Sequence, residues 1–121
     1  MKINQNNAGL AAEKLAATYL TKHGLKMVVQ NYHCRFGEID LIMKDGKTLV
    51  FVEVRLRSNL KFGSAAMSIT PQKQQKLIIT AQHYLQEFAK QHGDCACRFD
   101  AILMNKADVE HLEWLRNAFD A

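Results

Sequence analysis

Four acidic residues stand where the surrounding sequence is apolar or small. Asp40 lies between Ile39 and Leu41, Glu53 between Val52 and Val54, Glu38 two places before Asp40, and Glu13 within an alanine-rich run. Carboxylates gathered in apolar surroundings repel one another and hold their protons tightly unless a cation sits among them. A divalent metal supplies that cation. Oxygen-only ligation by a few carboxylates suits Mg²⁺ or Mn²⁺, which keep several waters and complete their octahedron on substrate phosphate. The other arrangement these residues permit is a structural network in which Arg55 and Arg57 neutralise Glu53 and Glu38, at a cost in desolvation.

The elements that must position these groups can be read along the chain. The segment NNAGLAAEKLAATYLTKHG has Asn6 or Asn7 available as an N-cap and Gly24 as its stop, which predicts a helix over residues 8–23. On that helix the neighbours of Glu13 are Gly9, Ala16, Ala17 and Leu20, so its carboxylate emerges where another backbone can approach closely. The runs KMVVQNY, GEIDLIMK and TLVFVEVR predict three strands, the last two joined at Asp45-Gly46. Thr70 and Pro71 open a second helix whose apolar residues recur at helical spacing up to Gly93. RFDAILMN and VEHLEWL read as two final strands, and residues 56–70 as a long loop. A strand, crossover helix and strand over residues 48–104 requires a parallel pair, whereas the Asp-Gly turn requires an antiparallel one. The expectation is a single α/β domain over residues 1–121, α-β-β-β-α-β-β, with a mixed sheet of about five strands flanked by helices.

The hairpin register brings the acids together. With Lys44 and Lys47 flanking the turn, paired residues sum to 91: Ile42 faces Leu49, Asp40 faces Phe51 and Glu38 faces Glu53. Glu38, Asp40 and Glu53 then share one face, with Asp40 diagonal to Glu53 at roughly 7 Å between backbones. Ile39, Leu41, Val50, Val52 and Val54 make the opposite, apolar face. Lys73 and Gln74 lie one turn before Leu77 and Ile78 and continue that stripe toward the mouth of the site. Asp100 either supports the site or pairs with Arg98. Tyr84, Phe88 and Trp114 read as core.

Composition bounds the setting. The chain has 121 residues, enough for one domain, and 48% apolar content supports a layered core. No run approaches the ~18 apolar residues of a membrane span, and MKINQNNAGL carries no apolar stretch that would serve as a signal, so a cytoplasmic protein with no membrane partner is expected. Sixteen Lys and Arg against twelve Asp and Glu give a formal charge of +4, too mild to name a partner. Cys34, Cys95 and Cys97 are read as reduced thiols, since their spacing lacks a CxxC pair.

The set GLAAEKLAATYL, NYHCRFGEIDLI, VFVEVRLR, TPQKQQKL and CRFDAI closely resembles the YraN-like family of small bacterial proteins over nearly the whole chain. That family is similar to the PD-(D/E)XK nuclease superfamily and, in its core, to archaeal Holliday-junction resolvases. The resemblance implies a restriction-endonuclease-like fold and a metal-dependent DNA endonuclease acting on branched or damaged DNA. It implies that Glu13, Asp40 and Glu53 bind Mg²⁺ or Mn²⁺ and that Arg55 completes the catalytic set. Arg55 departs from the superfamily's lysine: it can hold a phosphate but stays protonated, so it cannot act as a base. Arg57, Lys61, Lys73 and Gln74 are the expected nucleic-acid contacts, and a homodimer is implied by the two cuts that resolvases make. The rival readings are a non-catalytic nucleic-acid-binding or scaffolding module that keeps the nuclease fold, and an RNA-directed nuclease.

Overall fold

The computed structural model describes residues 7–56, 69–93, 95–105 and 112–120. Helix α1 (Asn7–Lys22) leads into strands β1 (Lys26–Cys34), β2 (Gly37–Asp45) and β3 (Thr48–Leu56). Helices α2 (Pro71–Glu87) and α3 (Ala89–His92) follow, then strands β4 (Cys97–Met104) and β5 (Leu112–Phe119). The five strands form one sheet in the order β1-β2-β3-β4-β5, antiparallel except for the parallel pair β3–β4, which α2 connects. The expected mixed α/β sheet flanked by helices is what the chain forms.

Local chemistry accounts for the element ends. At the end of α1 the N–H of Gly24 bonds to the carbonyl of Thr21 and that of Leu25 to Leu20, a glycine-terminated cap with Gly24 at φ +98°. Thr70 caps α2 by accepting from the N–H of Lys73, and Pro71 occupies the first helical position. The second helix does not run unbroken to Gly93. It ends at Glu87, and Phe88 separates it from the single turn of α3. Phe88 is accordingly exposed rather than core, while Tyr84 is buried and Trp114 half-buried. The last strand runs four residues past the expected end at Leu115, and positions 109–111 of the expected run lie outside the described residues.

Two apolar clusters sandwich the sheet. Against α1, Ala12, Ala16 and Leu20 pack on Leu41, Met43, Val50, Val52, Ile102 and Met104. Against α2, Leu77, Ala81 and Tyr84 pack on Ile39, Ile42, Leu49, Phe51, Phe99 and Ala101. Burying an aliphatic or aromatic side chain of this kind contributes roughly 1.5–3 kcal/mol, which makes both helices dependent on the sheet they cover.

The hairpin register differs from the expected one. Asp45 pairs with Thr48 and Ile42 with Phe51, so paired residues sum to 93 and the turn residues are Gly46 and Lys47. Gly46 sits at φ +63°, where glycine is preferred. A slip of two preserves the faces, so Phe51 and Glu53 stay on the side assigned to them. Ile39 is the exception. It packs with Ile42, three residues away, on the α2 side, so the two-residue period slips at Asp40–Leu41.

Candidate functional site

The slip marks a fork in the sheet. Pairing between β2 and β3 ends at Leu41–Val52. Beyond it β2 continues to Gly37 against β1, while β3 continues to Leu56 against β4. A parting of strands leaves backbone donors and acceptors without ladder partners, and buried ones must be satisfied in another way. Asp40 does this: its Oδ2 accepts the backbone N–H of Val54 at 2.8 Å. The carboxylate thus lies in the gap between the strands, within reach of both helix-covered sides.

Glu13 approaches from α1 and Glu53 from β3. Burial pushes the Glu13 carboxyl up to about 7, and the charge of Asp40 adds to the effect, while a hydrogen bond from Asn31 opposes it. Glu53 is also pushed up to about 7, by burial first and then by Asp40, with Lys73 and Arg55 pulling it down. Asp40 is raised as well, chiefly by burial and against the Val54 hydrogen bond. Asp40 acts on both outer carboxylates, which places it at the centre of a chain Glu13–Asp40–Glu53.

Cations meet this chain at one end. Arg55 Nη1 lies 3.6 Å and Lys73 Nζ 3.5 Å from Glu53 Oε2, whose residue is 5% exposed. At those distances both attract by charge rather than through short hydrogen bonds. Of the network read from the sequence, the contact of Arg55 with Glu53 is present, with Lys73 beside it, while Arg57 lies outside the described residues and Glu38 makes an exposed pair with His33 Nε2 at 2.8 Å.

A divalent metal can be tested against these groups. The donors are oxygen only, and Glu13 Oε1 is buried without a hydrogen-bond partner. Among the described residues no three acidic, histidine or cysteine side chains converge into a ready-made cage. Mg²⁺ and Mn²⁺ bind through as few as one or two carboxylates plus water and phosphate, so Asp40 with either outer glutamate fits them.

The remaining expectations separate cleanly. Gln74 donates to the carbonyl of Ile69 at 2.9 Å and so braces the entry to α2. Arg57 and Lys61 lie outside the described residues. Asp100 is buried away from solvent and accepts from Arg98 Nε at 3.0 Å, Trp114 Nε1 at 3.0 Å and the Asn117 N–H at 3.0 Å, a tie between β4 and β5. Asn31 was not anticipated. It holds φ +56° in the middle of β1, at the one position between Gln30 and Tyr32 that the β2 pairing skips, and its side chain reaches Glu13. An asparagine inside a strand run, tolerant of the left-handed region, is the signal that could have pointed to it.

Comparison with known proteins agrees with the family read from the motifs. The family described as "Uncharacterised protein family UPF0102" matches residues 12–104. A UPF0102 protein of Methylobacillus flagellatus is 57% identical over 110 residues, covering 91% of this chain and 94% of its own. Similar proteins from Nitrosomonas europaea (54% over 114 residues, 94% of each chain) and Legionella pneumophila (50% over 113 residues, 93% and 94%) carry the same family name. Among the described residues no helix is long and apolar enough to cross a membrane.

Proposed function

The chain belongs to the uncharacterised protein family UPF0102, the YraN-like proteins, and we propose that it is a metal-dependent endonuclease of restriction-endonuclease-like fold acting on branched or damaged DNA. The observation that carries this reading is the chain Glu13–Asp40–Glu53, drawn from a helix and two parting strands, with two carboxyls raised to about 7 and Arg55 and Lys73 at its edge. A structural ion pair has no need of three mutually repelling acids, whereas a hard cation bridged to phosphate does.

Asp40 with Glu53 or Glu13 would hold Mg²⁺ or Mn²⁺. When bound, the metal would supply Lewis acidity and an activated water. Arg55, fixed on β3 and always protonated, would hold the scissile phosphate. Lys73, offsetting the charge of Glu53, would draw that carboxyl down against the rise that burial and Asp40 impose on it. The fork itself holds Asp40 in place through Val54, which is the preorganisation that such a site requires.

A second reading has its own observation. Glu53 already faces two cations, so the same residues can be held together in a scaffolding module that binds nucleic acid without cutting it. A cleavage assay with Mn²⁺ on linear, flapped and four-way-junction DNA separates the two. The enzyme reading expects cleavage by wild type and by Arg55→Lys and none by Glu53→Ala. Equal background rates for all three would leave the scaffold reading.

A further inference from the structure

Beside the acidic chain, and sharing none of its carboxylates, lies a cleft of about 320 Å³ between the end of the β1–β2 hairpin and the N-terminal half of α2. Its walls are His33, Cys34, Gly37 and Glu38 on one side and Lys73, Lys76, Leu77 and Thr80 on the other. Lys73 belongs to both places, because its ammonium also lies 3.5 Å from Glu53. Whatever anion enters the cleft is therefore one side chain away from the carboxylates.

We propose that this cleft seats one unpaired nucleotide of the DNA strand next to the phosphodiester at the acidic chain, its phosphate between Lys73 and Lys76. This rests on the nuclease reading above and adds the form of the substrate. Three features of the cleft support it. Lys73 and Lys76 are three residues apart on α2 and so project on the same side, giving two ammonium groups where a phosphate would sit. Glu38, the acidic residue in the wall, is exposed beside His33 Nε2 at 2.8 Å, so water screens its charge and it opposes an anion less. The size selects a single unit: about 320 Å³ stands at the bottom of the ~300–1,000 Å³ range of small-ligand clefts, room for one nucleotide and none for a base pair.

The turn is built to hold that width. Gly37 has φ +153°, and a Cβ there would come within 2.9 Å of Thr80 Oγ1. Thr80 is fully buried and donates to the carbonyl of Lys76, so the hydroxyl cannot swing aside freely. The glycine thus lets the turn and α2 approach closely without filling the space between them. Leu77, almost wholly buried, closes the floor of the cleft, and the His33–Glu38 pair lines the opposite side with hydrogen-bonding groups. Taking a base out of its stack costs least where it is unpaired, mismatched or damaged, so this seat favours ends, flaps and branch points over continuous duplex.

Fluorescence anisotropy in chelator tests this without cleavage. Wild type and Lys76→Glu are titrated with a blunt duplex and with the same duplex carrying two unpaired arms, and deoxythymidine monophosphate is used as competitor. Wild type is expected to prefer the forked probe by at least about fivefold, the lower end for one seated base and its phosphate, and Lys76→Glu to lose that preference. Equal affinity of wild type for both probes overturns the proposal, as does a Lys76→Glu loss of the same factor on each. Loss of the forked preference in excess deoxythymidine monophosphate upholds the seat, whereas binding of the mononucleotide by a protein that shows no forked preference without it assigns the cleft to a free nucleotide and overturns the proposal. A forked preference in a protein that never cuts with Mn²⁺ would uphold the seat and defeat the nuclease reading. Cutting by wild type with no forked preference would do the reverse.

Discussion

The carboxylate of Asp40 takes the place of a backbone partner for Val54, accepting its N–H at 2.8 Å where β2 and β3 part. One side chain therefore does two jobs, closing the sheet's open fork and bringing a negative charge between Glu13 and Glu53. These jobs separate by substitution. Asp40→Asn keeps an oxygen acceptor for Val54 and loses the charge, whereas Asp40→Ala loses both. At neutral pH, urea unfolding should find the asparagine variant more stable than the alanine variant by about 1–3 kcal/mol, the cost of leaving a partly buried donor unpaired. Equal stabilities would mean that the Val54 bond holds nothing.

Stability should fall with rising pH when divalent cations are absent. The Glu13 and Glu53 carboxyls titrate at about 7 in the fold against an ordinary value of 4.5, so the folded state holds protons that the unfolded chain has released. Their contribution is fully present below about pH 4.5 and is lost as pH rises through about 7. Melting midpoints in chelator should decline across that window, and Glu53→Gln should flatten the decline. Mn²⁺ should restore the loss at pH 8, since a ligand that binds only the folded state stabilises it. A midpoint that rises from pH 5 to 7.5 in wild type and variant alike would contradict the raised carboxyls.

Most of the fold was legible because its signals are local. The glycine stop of α1, Thr70-Pro71 ahead of α2 and the alternating runs of β2 and β3 each follow from residues within a few places of one another. The register error came from the same source. Asp-Gly reads as the turn pair, yet Asp45 stays in the ladder and Gly46-Lys47 turns, a choice set by pairing along the whole hairpin. The faces survived because the slip was even. The site was legible only in its members. The fork, the slip at Asp40–Leu41 and the left-handed Asn31 depend on β1 and β4 holding β2 and β3 apart, which no local pattern encodes. The contact of Lys73 with Glu53 likewise crosses from α2 to the sheet, over a separation of twenty residues that periodicity does not measure.

Asp100 should prove structural. Its carboxylate is fully buried and satisfied by Arg98, Trp114 and the backbone of Asn117, and Arg98 also reaches Asp45 at 3.0 Å. Removing one partner of a buried, hydrogen-bonded ion pair costs about 3–5 kcal/mol; Asp45 would still compensate Arg98, so the loss is expected at the lower end, with Trp114 and Asn117 left unpaired. Asp100→Ala should lose that much in urea unfolding while its folded fraction binds Mn²⁺ as wild type does. A stable Asp100→Ala protein with lost Mn²⁺ binding would place Asp100 in the metal site instead.

Asp40 and its neighbouring glutamates are proposed to hold a divalent cation, and calorimetric titration of Mn²⁺ into wild type and Asp40→Asn decides whether they do. The asparagine variant keeps the Val54 hydrogen bond, so a change in heat reports the lost charge rather than a damaged fold. Wild type should bind with a saturable heat that the variant lacks, and binding should release protons near pH 7, where Glu13 and Glu53 are partly protonated. A saturable heat of equal size and midpoint in both proteins, with no proton release, would contradict the account.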